Sequence, residues 1–439
     1  MGEIIINSPF LRGRKLSSEV SVSHDLEKYL KEKRLDIEYD AEITTKESIL
    51  NVPLTATVLP LAWLTGSNIV VEKLDRRFKV SMDQLKLVLQ KMFPRIAFSG
   101  EIIADELVDN QVEVSDTEKR FGLLFSGGID STYSLITNLD KNPSLIMFWG
   151  LDNFPFPERS DHWNETIETY SGFARKKNLD IFIIKTNISQ IIDYRRIEHR
   201  YHKELYDGSL RMALHHSLLI LPPLAPLAMG RFDHVIIAAS LHPLHDYGMW
   251  PFAANPEADE KIVWADTVVQ HDGYIMRHEK FKAIADYLKK EDLILRVCTR
   301  SKLVDGYLND SVCEKCLITI INLIHVGIDP NKYGFKVDES SFELIRNMWG
   351  KKNAGMFSSH WWELQAILPE KVELDMYGSK AFFEWFRDYK FDETEINWFF
   401  TDLYNSLPYD VARLLDKLFR KLDINVHPLP WVRKKENIQ

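Results

Sequence analysis

Residues Ser126-Gly127-Gly128-Ile129-Asp130-Ser131 carry the densest chemical signal in the chain. They follow an apolar run at 122–125 and precede a helix-compatible stretch at 132–138. That order spells a strand, a tight turn and a helix start. Gly127 and Gly128 let the backbone turn sharply and approach an anion with no Cβ in the way. Backbone N–H groups at the helix start then face the ligand, and the Ser126 and Ser131 hydroxyls add donors. Phe125 precedes the turn and Ile129 lies within it, and both belong to the stretch that would touch a bound phosphate chain. No Gly-x-x-x-x-Gly-Lys-Ser/Thr occurs in the sequence, so the signal is distinct from the usual γ-phosphate loop.

A second constellation is Cys298, Asp310, Cys313 and Cys316. Two thiolates spaced Cys-x-x-Cys can take adjacent positions of a tetrahedral zinc site. A structural site wants four ligands, and Asp310 or His325 would supply the fourth. These are the only cysteines in the chain, which excludes a disulfide scaffold and fits a reducing cytoplasm. Several of the 14 histidines fall between the two constellations: His215, His216, His242, His245, His271 and His278. His242-Pro-Leu-His245 lacks a carboxylate at helical spacing, so it reads as loop histidines beside a polar pocket rather than a second metal site.

The elements that must hold these residues follow from the apolar patterning. Short apolar runs at 122–125, 145–149, 181–185, 235–239 and 294–297 alternate with helical stretches at 163–176, 210–219 and 279–289. Alternation of this kind predicts a parallel α/β sheet covered on both faces, Rossmann-like, with ligands beyond the carboxyl ends of the strands. The run at 235–239 ends in Ala239-Ser240, small enough to admit a flat ring. Residues 1–118 read as a small α+β region. It has a strand at 4–6, a helix at 25–33, a strand at 69–72, a helix at 81–93 and a polar linker at 109–120. Residues 119–330 form the nucleotide-binding domain with its cysteine knuckle, and 331–439 a helical region rich in aromatics. Trp361-Trp362, Phe382-Phe383, Trp385-Phe386 and Trp398-Phe399-Phe400 are expected to be mostly core, with some serving a partner surface.

Composition narrows the function. The chain has 439 residues, 45% hydrophobic and 27% charged, as in folded globular proteins. Its longest apolar run, 218–229, holds three prolines and is too short to span a bilayer. The opening Met1-Gly2-Glu3-Ile4 has no secretory pattern, so a cytoplasmic protein is expected. A net charge of −9 argues against a nucleic-acid partner.

The Ser-Gly-Gly-x-Asp-Ser block resembles the PP-loop of the ATP pyrophosphatases, which cleave ATP between the α and β phosphates and adenylate a substrate oxygen. The succession of this loop, a small-residue strand, Asp246-Tyr247-Gly248, Lys280 and a cysteine knuckle is similar to that of 7-cyano-7-deazaguanine synthase. The resemblance covers roughly 121–327. It departs at Asp310, where that family has the second of four zinc-binding cysteines.

The resemblance implies an ATP-dependent ligase that activates a 7-carboxy-7-deazaguanine-type carboxylate for attack by an amine, with ATP, Mg2+ and Zn2+. Ser126, Asp130, Ser131, Lys280 and Arg211 would be catalytic. Trp149, Ala239 and Ser240 would line the ATP site, and Asp246, Tyr247 and Trp250 the base. Extended relatives in bacterial antiviral operons imply a protein partner as the acceptor of the base. No cysteine stands at position 2 to hydrolyse glutamine, so ammonia or another amine must supply nitrogen. A tRNA-modifying enzyme and a non-catalytic nucleotide-binding subunit are the alternatives.

Overall fold

The computed structural model describes residues 2–110, 120–151, 160–205, 208–242, 252–298, 304, 306–350, 358–371, 373–390, 404 and 406–421. Asp246, Tyr247, Trp250 and His245 lie outside these residues, as do Trp398, Phe399, Phe400 and most of the expected linker.

The fold is α/β, built on an 11-stranded sheet. In chain order the strands are β1 (Glu3–Ile6), β2 (Phe10–Arg12), β3 (Lys15–Val22), β4 (Arg34–Tyr39), β5 (Asn68–Asp75), β6 (Ile102–Val108), β7 (Phe121–Leu124), β8 (Ser144–Trp149), β9 (Ile181–Thr186), β10 (His234–Ala238) and β11 (Val268–Asp272). They line up as β11-β10-β7-β8-β9-β4-β3-β1-β5-β6, with β2 paired to β3. Strands β11 to β9 run parallel to their neighbours. Read from β9, their order is third, second, first, fourth, fifth, the doubly wound arrangement compatible with a Rossmann-like sheet. Chain direction across the sheet reverses between β7 and β10, and the Ser126–Ser131 turn emerges from β7 at that crevice. Antiparallel pairing of β4 with β9 continues the same sheet into the N-terminal region, which adds its own parallel trio β1-β5-β6.

Successive strand residues alternate between two cores, as a sheet covered on both faces requires. Leu124, Ile146, Val235 and Ile237 join the first core with the N-terminal helices Val52–Thr65 and Arg76–Met92. Leu123, Leu145 and Ile236 join the second, with the helices Ile129–Thr137, Ser160–Lys177, Arg277–Leu288 and Glu314–His325. Trp361, Phe382, Phe383 and Phe386 from the C-terminal helices fill the outer part of this second core, whereas Trp362 is exposed.

Two expected elements are corrected. Residues 25–33 form no helix: only a single 3-10 turn, Glu27–Tyr29, precedes β4, whose Leu35, Ile37 and Tyr39 alternate inward. Residues 294–297 are not a strand, and the fifth strand of the parallel set is β11 instead. Asn309 explains the misreading. Its amide accepts from the Val297 and Cys298 N–H groups at 2.8 and 3.1 Å and donates to the Leu295 carbonyl at 2.8 Å. One side chain thus satisfies the backbone that a neighbouring strand would have paired. No helix among the described residues is long and apolar enough to cross a membrane.

Candidate anion and metal site

The Ser126–Ser131 turn is closed by its own side chains. Ser131 Oγ lies 3.2 Å from both the Ser126 N–H and the Ser126 hydroxyl, and 3.3 Å from the Gly128 carbonyl. Gly127 has φ +76°, and a Cβ there would sit 1.8 Å from the Tyr170 hydroxyl, so the position admits only glycine. Phe125 anchors the turn from below, donating its N–H to the Ile146 carbonyl and meeting the Tyr170 ring edge-on. Ile129, buried, opens the following helix, which has no side-chain cap at Gly128. Its first N–H groups therefore face the crevice without a side-chain acceptor from the cap.

Four cations converge on this turn. Lys280 Nζ lies 2.8 Å from Asp130 Oδ1 and donates to the Ala239 carbonyl at 2.5 Å. Arg277, one turn earlier on the same helix, brings Nη1 within 3.5 Å of Asp130 Oδ2. Arg296 donates its backbone N–H to the Gly127 carbonyl at 2.8 Å, and its side chain is 1% exposed. Lys315 completes the set; burial and the Arg277 charge push its pKa down, while Asp130 pulls it up. Burial works to raise the Asp130 carboxyl, yet Lys280, Arg277 and Lys315 hold it well below the usual carboxylate range. One carboxylate thus faces three cations, Lys280, Arg277 and Lys315, while buried Arg296 holds the same turn through its backbone. Charges in such a place require counter-charge, and a multiply charged anion supplies it.

Ala239, fully buried, and Ser240 stand at the carboxyl end of β10 beside Lys280. Trp149 ends β8, stacked on Trp163 at 5.7 Å with the Lys185 ammonium over its ring. Gly150 behind it has φ +122° and would place a Cβ 1.6 Å from the Thr186 carbonyl, so only glycine lets the backbone pack this closely against the end of β9. Arg211 behaves differently. Its guanidinium lies 5.7 Å from the Tyr194 ring and beside His215, and its described contacts do not join it to the turn.

Cys298, Asp310, Cys313 and Cys316 come together as expected, with one ligand atom of each within 4.8 Å of all the others. Their sulfurs are 3.4 and 3.9 Å apart. Thiolates about 2.3 Å from a tetrahedral zinc would stand roughly 3.8 Å apart, so the donor set fits a metal such as zinc. Hydrogen bonds from Cys313 and Cys316 push the Cys298 thiol down to about 3, while burial pushes Cys316 up. Asp310 also accepts from the Val312 and Cys313 N–H groups, which fixes its approach. His325 is not a member; it packs against Phe383 at the far end of the helix. The knuckle adjoins the cations directly, because Arg296 precedes Cys298 by two residues and Lys315 lies inside the Cys-x-x-Cys.

The C-terminal helix Ser358–Ile367 reaches the same place. Glu363 accepts from the His278 N–H and meets its ring at 3.0 Å, and lies 3.8 Å from His242. His360 sits 3.4 Å from Arg277. His242 and His278 were among the histidines the sequence singled out, but it had no signal for Glu363, His360, Arg277 or Arg296, since single side chains brought together by folding leave no spacing pattern. Lys315 could have been found from its place between two metal-ligand cysteines. A separate cleft of about 460 Å3, lined by Arg120, Lys141 and Arg231 among others, opens at the amino ends of β7 and β8, away from this site. In comparisons with known proteins, no family model, curated protein or solved structure matches the chain.

Proposed function

We propose that the protein is a PP-loop ATP pyrophosphatase that adenylates a carboxylate of the 7-carboxy-7-deazaguanine type and passes the acyl group to an amine. One observation carries this reading: buried Lys280, Arg277 and Arg296, with Lys315, gather around a Ser-Gly-Gly-x-Asp-Ser turn at the crevice of a doubly wound sheet. A pyrophosphate leaving group has the charge this cluster lacks. The substrate carboxylate oxygen attacks the α-phosphorus, the bond to the β-phosphate oxygen breaks, and the charge that develops there falls on the Ser126–Ser131 donors and the four cations. Mg2+ would neutralise phosphate oxygens, held by Asp130 through the acceptor capacity its two cation contacts leave. Zn2+ on the knuckle would be structural. The acceptor amine is ammonia or an amine of a protein partner, in keeping with the antiviral setting the resemblance implies.

The test is direct. Purified protein with ATP, Mg2+ and 7-carboxy-7-deazaguanine should release AMP and pyrophosphate, and Lys280→Met should slow that release by about 100-fold. ATP binding without pyrophosphate release would instead identify a nucleotide-binding subunit.

A further inference from the structure

We infer that the C-terminal helix Ser358–Ile367 holds Arg277 as a two-pronged phosphate ligand, with His360 and Glu363 as its positioning residues. This rests on the anion site proposed above and on no particular acyl substrate. Arg277 is 6% exposed, yet both described contacts of its side chain are made by one nitrogen. Nη1 lies 3.5 Å from Asp130 Oδ2 and 3.4 Å from His360 Nε2. Nε is buried with no hydrogen-bond partner. A buried N–H without an acceptor is costly, and a ligand oxygen would remove that cost.

The guanidinium is rigid and planar, so the edge formed by Nε and Nη2 stays beside the turn that Nη1 contacts. That edge matches two oxygens of one phosphate, a bidentate grip that a lysine cannot make. Lys315 stands close enough to feel the Arg277 charge, so a phosphate bound there would also relieve repulsion between the two.

The C-terminal region fixes this geometry. Trp361 and Leu364 root the helix Ser358–Ile367 in the second core. His360 and Glu363, three residues apart, share the face that meets the helix Arg277–Leu288. A guanidinium only donates, so His360 Nε2 accepts from Nη1 and the imidazole carries its proton on Nδ1. Glu363 Oε1 accepts the His278 N–H at 2.8 Å and meets His278 Nδ1 at 3.0 Å. That N–H is one of the donors a helix leaves unpaired at its start, so Glu363 steadies the turn on which Arg277 sits. His360 sets the plane of the guanidinium, and Glu363 sets its place. Both lie beyond residue 330, which makes the C-terminal region part of the site.

Calorimetry with inorganic pyrophosphate in magnesium-free buffer reads the grip directly. Arg277→Lys keeps the charge and loses the second prong, so affinity should fall about tenfold. His360→Leu should lose as much with Arg277 intact and nothing further in the Arg277→Lys background, because the grip it supports is already gone. His360→Gln, whose amide oxygen can accept from Nη1, should bind like the unmodified protein. Glu363→Leu and Glu363→Gln should repeat that contrast, since Gln keeps an acceptor for the His278 N–H. A loss from His360→Leu that is equal in both backgrounds would mark damage to the fold and overturn the inference, as would unchanged affinity in Arg277→Lys. Absence of pyrophosphate binding by the unmodified protein would overturn the anion site, and this inference with it. The expected pattern in a protein that releases no pyrophosphate from ATP would sustain the grip and remove only the adenylation reading.

Discussion

Among the described residues, Asp130 is the one carboxylate paired with both Lys280 and Arg277, and its replacement tests what the cluster is built to hold. Asp130→Asn keeps the shape and removes the counter-charge that both cations share. Removing one partner of a buried pair costs about 3 kcal/mol, so the melting temperature of the free protein should fall. Inorganic pyrophosphate in magnesium-free buffer should then raise that temperature more in the variant than in the unmodified protein, because the anion meets uncompensated charge. A smaller rise in the variant would mean that the cations do not face the anion. At this scale the turn was readable from six consecutive residues, since glycine at φ +76° and paired hydroxyls act locally. Arg277 and Arg296 were not, because a lone arginine on a helix or coil looks like any solvated one until folding buries it.

Among the elements, the π-helical turn Arg211–His215 departs most from regular geometry. It buries His215, whose Nδ1 meets the Tyr194 hydroxyl at 2.9 Å. Burial, with Arg211 alongside, pushes the His215 pKa from 6.5 down to about 3. The folded imidazole therefore stays neutral where the unfolded one takes a proton. Its contribution is intact above pH 6.5 and is lost as pH falls toward 3, by up to about 1.4 kcal/mol per unit. Urea midpoints should drop between pH 7 and pH 5, and His215→Gln should shrink that drop; an equal drop in the variant would assign it to other groups. The long helix Val52–Thr65 escaped sequence reading for a related reason. It is buried on nearly every side and carries Pro53 and Pro60, so neither amphipathic period nor composition marks it as helical. Strand β11 was hidden by its polar half, Gln270-His271-Asp272, whose residues are not apolar although all three are partly buried.

Across the whole molecule, a chain of contacts runs from the C-terminal helices to the Ser126–Ser131 turn. Buried Trp361 donates its indole N–H to Glu314 at 3.2 Å, and Glu314 opens the helix whose cap is Cys313. From the knuckle, Arg296 and Lys315 reach the turn, Arg296 through a backbone bond to Gly127. Three thiolates and a carboxylate around a divalent ion keep net negative charge, which offsets the two cations nearest to them. Metal loss would untie the three cysteines and Asp310 from one another and free the segment that presents both cations. The coupling makes a specific prediction. Dialysis against a strong chelator, or Cys316→Ser, should release close to one zinc per chain by elemental analysis. ATP affinity by calorimetry should weaken about tenfold, the size of effect that loss of support around a site produces. Zinc added back should restore binding in the unmodified chain but not in the variant. Unchanged ATP affinity after complete zinc loss would separate the knuckle from the anion site and leave it a fastening for the C-terminal helices alone.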